Sequence, residues 1–128
     1  MNPMQTSSRP VFLNLLQIRL PVAAVMSIAH RAAGVLLFLA IPLLVGLLSL
    51  ALSGNGGFHR ASQLLQQPWS RLLMFLLLWA LAHHFLAGIR YLLLDAHLGV
   101  RAPYFRHSAW TVLICAPVLA LGLLWGLA

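Results

Sequence analysis

Three long apolar stretches decide which solvent this chain can fold in. The first, residues 32–52, is 21 residues long and has no charge. As a helix at about 1.5 Å per residue it would extend about 31 Å, close to the hydrocarbon thickness of a bilayer. The second, residues 72–94, is apolar except for His83, His84 and Arg90. The third, residues 109–128, is uncharged to its end. Composition agrees: 62% of the residues are hydrophobic and 7% are charged, whereas a water-soluble domain carries roughly 25% charged residues. So few charges cannot cover a globular surface. The expected fold class is all-α, an integral membrane protein with three transmembrane helices at about 22–52, 70–95 and 108–128, forming a single transmembrane domain over 1–128.

Short polar segments join these runs. The first helix is expected to start just after Pro21, which puts Ser27, His30 and Arg31 on its opening turns. Pro42 and Pro117 are candidate kinks, which membrane helices tolerate. Residues 53–71 open with a turn at Gly54-Asn55-Gly56-Gly57, and residues 60–67 suit a short interfacial helix. Residues 95–108 read as a loop carrying Asp95, His97, Arg101, Arg106 and His107. A cleaved leader is not expected, because the first apolar run begins 31 residues in and is too long.

The charges set orientation. There are eight arginines, no lysine and one acidic residue, Asp95, for a net charge of +7. The arginines are scattered singly, without a basic stripe or interleaved stacking aromatics, so nucleic acid is not an expected partner. Arg9, Arg19, Arg31, Arg90, Arg101 and Arg106 fall on or near one side of the membrane, and Arg60 and Arg71 on the other. Arginine excess marks the cytoplasmic face, so the N-terminus is expected in the cytoplasm and the C-terminus outside. The single cysteine, Cys115, excludes an intrachain disulfide, a Cys-x-x-Cys metal pair and a covalent haem attachment motif. The glycines at 54–57 lack the context of a phosphate cradle, and no iron–sulfur, flavin or nicotinamide motif is present.

Ionisable groups inside a bilayer are expensive and need a reason. His84 lies 11 residues before Asp95, about 16 Å along a helix, and so near mid-membrane. Imidazole there serves as a haem-iron ligand or as an interhelical hydrogen-bonding group; position alone divides evenly between them. At roughly 100° per residue, His84, Gly88, Tyr91 and Asp95 share one narrow face. Gly88 leaves room for a flat macrocycle or a close partner helix. His83 points about 100° away, as expected of a hydrogen-bonding or packing residue, so the second ligand of a single iron would come from elsewhere, most simply a partner chain. Ser27, Arg31 and Gly34 form a face of the first helix, flanked by His30 and expected level with Asp95 near the cytoplasmic surface. Ser, Arg and His supply donors to quinone carbonyls, and Asp95 is a candidate for proton delivery. His30 and Arg31 equally suit haem propionates, and snorkelling to the interface is the plainer role for Arg31. His59, His97 and His107 are expected to be solvated in loops.

Several of these residues carry a family resemblance. The stretches Arg9-Pro10-Val11-Phe12-Leu13-Asn14-Leu15 and Ile18-Arg19-Leu20-Pro21 resemble the opening of succinate dehydrogenase cytochrome b subunits. Ser27-Ile28-Ala29-His30-Arg31-Ala32-Ala33-Gly34 is similar to that family's Ser-x-x-His-Arg-x-x-Gly motif. His84-Phe85-Leu86-Ala87-Gly88-Ile89-Arg90, followed by Asp95, is similar to its His-x-x-x-Gly-Ile-Arg haem-ligand motif. Tyr91 departs from it, since many relatives have His there. The resemblance covers nearly the whole chain. It implies that His84 ligates one haem b shared with a second membrane anchor subunit, that His30 and Arg31 lie at the propionates, and that Ser27 and Arg31 border a ubiquinone site. It implies a subunit of a heteromeric helical bundle in the bacterial inner membrane. That subunit would anchor an iron–sulfur subunit and a flavoprotein subunit and pass electrons from succinate to ubiquinone, with the dicarboxylate chemistry elsewhere. A haem-free scaffold or transport subunit, and the anchor of a fumarate reductase-type complex, are the alternatives.

Overall fold

The computed structural model describes residues 19–126. The chain forms α1 (Val22–Leu52), α2 (Asn55–Leu65), α3 (Pro68–Asp95) and α4 (Tyr104–Gly126), with no strand among the described residues. Three of the four, α1, α3 and α4, are long and apolar enough to cross a membrane. The opening motif at Arg9–Leu15 and Ile18 lies outside the described residues, as do the last two residues.

Helix starts follow local chemistry. Pro21 precedes α1 in an extended conformation, and Pro68 occupies the first turn of α3, where a missing N–H costs nothing. Both α1 and α4 continue through their internal prolines, Pro42 and Pro117. The region expected to turn at 54–57 instead turns at Gly54, whose φ of 100° suits glycine, and Asn55, Gly56 and Gly57 already belong to α2. Gly57 is buried on the end of α1, where a Cβ would collide with the Ser53 side chain and the Leu50 carbonyl. Close approach, rather than turn chemistry, explains that glycine. His59 is exposed, as expected, but on α2 rather than in a loop.

The other boundary correction is at α4, which starts four residues earlier than expected, at Tyr104. Arg106 and His107 lie on its first turn, exposed, because a helix entering a membrane begins in the polar interface. Upstream, α3 closes with Leu98 N donating to Leu93 O at 2.9 Å and His97 N to Leu94 O at 2.9 Å. This is a Schellman closure with His97 at φ 61°, and it turns the chain toward α4.

Packing uses small residues. The buried positions of α1 are Met26, Ala33 and Ala40, seven apart; those of α4 are Ala109, Val112, Ala116 and Ala120. Both stripes face the rest of the bundle, and small side chains let membrane helices approach closely. Met26, Ala87, Ala109 and Val112 form the core where α1, α3 and α4 meet. Most large apolar side chains point outward, Phe38 at 71% and Leu72 at 71% exposure among them, as lipid or partner helices require.

Candidate functional site

On α3 the adjacent histidines do different things. His83 is 0% exposed and its Nε2 lies 3.4 Å from the Met26 carbonyl oxygen. It is the hydrogen-bonding and packing residue that helical geometry predicts. His84 is half-buried, and its Nδ1 lies 3.3 Å from the His30 carbonyl oxygen. A carbonyl only accepts, so the proton is on Nδ1 in that contact and the ring lone pair is on Nε2. An orienting hydrogen bond of this kind is how metal-ligating imidazoles are commonly held.

The His30 ring stacks on the His84 ring with centroids 4.3 Å apart and planes 18° apart, and lies 5.3 Å from the Tyr91 ring. The expected His84–Tyr91 face is therefore the one that meets α1 at His30. Gly34 makes the contact possible. A Cβ there would sit 3.1 Å from His84 Cε1 and 3.3 Å from Nδ1, tighter than ordinary packing. Beside the pair is an open concavity of about 480 Å³ lined by His30, Arg31, Gly34, Val35, Phe38 and His84. Gly88 has open space over its Cα.

The structure brings together His84, His30, Arg31 and Gly34. Ser27, half-buried one turn before Arg31, is outside the lining of the concavity, and so is Asp95, exposed at the end of α3. One expectation needs correction. His30 and Arg31 are not level with Asp95: His30 packs between His84 and Tyr91, which are about 16 Å and 6 Å inward of Asp95 along α3. The axial offset between two helices depends on how they cross, which spacing along either one does not contain.

Sequence reasoning missed Arg90. It is 5% exposed, with Nε donating to Ser108 Oγ at 3.0 Å and a terminal nitrogen to the Phe105 carbonyl at 3.1 Å. Its guanidinium carbon lies 4.8 Å from the centre of the Phe105 ring. Arg90 thus ties α3 to α4 from within the bundle. The polar Ser108, immediately before Ala109, the first buried residue of α4, was the available signal.

Two histidines and an arginine converge at a glycine-opened contact between the first and second spans. A profile described as the succinate dehydrogenase/fumarate reductase transmembrane subunit matches residues 5–123. The chain belongs to this family. Its similarity extends to succinate dehydrogenase cytochrome b556 subunits: that of Coxiella burnetii (strain RSA 493 / Nine Mile phase I) is 38% identical over 109 residues, covering 84% of this chain and 87% of the relative. That of Paracoccus denitrificans is 32% identical over 113 residues, covering 88% and 87%. That of Rickettsia felis (strain ATCC VR-1525 / URRWXCal2) is 28% identical over 119 residues, covering 93% and 92%. As a member of the family, the chain is a multi-pass transmembrane subunit of the succinate dehydrogenase type.

Proposed function

We propose that this chain is the cytochrome b membrane anchor of a succinate:ubiquinone oxidoreductase in the bacterial inner membrane, and that His84 is its axial ligand to one haem b shared with a second anchor subunit. The observation that carries the reading is the His84 ring, oriented through Nδ1 by the His30 carbonyl at the edge of an open concavity. The residues fit the group: Nε2 is the free lone-pair nitrogen, Gly88 leaves a bare stretch of helix one turn away, and His30 and Arg31 supply donors suited to propionates. A haem there supplies a one-electron store inside the membrane.

Ser27 and Arg31 border the ubiquinone site in this reading. Arg31 is exposed and brings a cation to a quinone oxygen that gains negative charge on reduction, and the Ser27 hydroxyl donates to the same group. Asp95 takes part in proton delivery. The iron–sulfur and flavoprotein subunits dock on the cytoplasmic face, and succinate is oxidised on them. The test is the reduced-minus-oxidised spectrum of the assembled complex. His84→Ala should abolish or shift the low-spin b-type bands. Bands unchanged by that substitution would return His84 to the role of an interhelical hydrogen-bonding group.

A further inference from the structure

We infer that His83 is a positioning residue for His84: its bond to α1 sets the hydrogen bond that tunes the electron donation of the neighbouring imidazole. The inference rests on the reading of His84 as a haem ligand and deepens it. His83 Nε2 meets the Met26 carbonyl at 3.4 Å, and His84 Nδ1 meets the His30 carbonyl at 3.3 Å. Residues 26 and 30 are one helical turn apart, so their carbonyls lie one above the other on the same face of α1. Two adjacent residues of α3 thus clasp two successive turns of α1.

The chemistry of His83 points the same way. The side chain is 0% exposed, its ring centre lies 5.5 Å from that of Trp79, and its Nδ1 is buried with no hydrogen-bond partner among the described residues. A phenylalanine would fill a similar flat space without leaving a polar atom unpaired, and such atoms are costly in an apolar interior. Packing therefore does not account for a histidine here. What histidine adds is the Nε2–H aimed at the Met26 carbonyl.

That contact matters for His84 because the His84–His30 bond is already long. At 3.3 Å it is beyond the usual 2.7–3.2 Å range for an N–H···O bond, as is the His83–Met26 contact at 3.4 Å, so the two long bonds hold the α1–α3 register together and neither holds it alone. A displacement of α3 against α1 by a few tenths of an ångström would break it. With the bond intact, Nδ1–H donates to a carbonyl and the ring is a stronger electron donor through Nε2. With it lost, donation falls, the ferric state is less stabilised, and the reduction potential rises.

The test uses the whole complex and reads the haem midpoint potential and the low-spin electron paramagnetic resonance signal. His83→Phe keeps the ring and removes the donor; His83→Gln keeps a donor of similar reach and removes the ring. The Phe form should show a raised potential and a displaced low-field g value, and the Gln form should lie close to the parent. If the Phe form does not assemble, His83→Asn, whose amide falls short of the Met26 carbonyl, carries the same expectation. A Phe or Asn form indistinguishable from the parent, or a Gln form displaced as far as they are, overturns the inference. His84→Ala is run alongside. Loss of the b-type signal in it keeps the ligand reading, so that a failure among the His83 variants counts against the clasp alone. A surviving signal overturns the ligand reading and the clasp with it.

Discussion

At the residue scale the site depends on what a glycine omits. The methyl group of Gly34→Ala would press on His84 at 3.1 Å, so this substitution should lower haem content or shift its spectrum in intact complexes. Gly46→Ala, on the same helix with nothing within 4 Å among the described residues, is the control expected to change neither. Gly88→Ala also meets nothing within 4 Å among the described residues, so a loss of haem in that variant would identify its open face as the one the macrocycle covers. The donors make a separate prediction. Removing a charge-stabilising donor from a dry site costs about 2–4 kcal/mol of transition-state stabilisation, a fall of roughly 30- to 1000-fold. Ser27→Ala and Arg31→Leu should therefore cut succinate–quinone reductase activity strongly, while succinate oxidation with a dye that accepts electrons upstream is nearly spared. Equal losses in both assays, in complexes shown to be intact, would remove these two residues from the quinone site. The identity of the His84 face was legible because helical periodicity places His84 and Tyr91 together. The stacking partner His30 was not legible, because it arrives from another helix.

At the scale of elements, α3 is the central piece, held to α1 by histidines and to α4 by Arg90. The guanidinium spans two acceptors, Ser108 Oγ and the Phe105 carbonyl, and covers the Phe105 ring. Polar contacts between membrane helices are worth about 0.6 kcal/mol on average and up to about 1.7 kcal/mol. Arg90→Leu loses two such contacts and the ring contact, so the thermal midpoint of the detergent-extracted complex should fall by the equivalent of about 1–3 kcal/mol. Arg90→Lys should recover only part of that, because an ammonium lacks the planar fork that reaches both acceptors at once. A midpoint unchanged in Arg90→Leu would show that the small-residue stripe of α4 suffices to dock it. Sequence reasoning treated Arg90 as a charge near the cytoplasmic end of its helix. Its burial was hidden because the hydropathy of α3 does not reveal which side another helix will cover.

At the scale of the whole molecule, three spans, an odd number, would carry the start of α1 and the end of α4 to opposite faces of a bilayer. Six of the eight arginines fall on or near the N-terminal side, so a reporter active only outside the cytoplasm should be active when fused after Ala128. A reporter active only in the cytoplasm, and active in that fusion, would reverse the orientation and move the proposed quinone site to the other face. The number of spans, their approximate limits and the different directions in which His83 and His84 point are determined by the sequence itself. Apolar length against bilayer thickness, proline placement and the 3.6-residue period are all properties of a single segment. Only the tertiary structure decided that His30 stacks on His84, that Gly34 is the glycine that admits it, that Arg90 is buried against α4, and that the donors on α1 lie inward of Asp95. Each of these depends on the crossing and axial offset of two helices. That offset is set by how small residues from both interlock, and neither helix carries it alone.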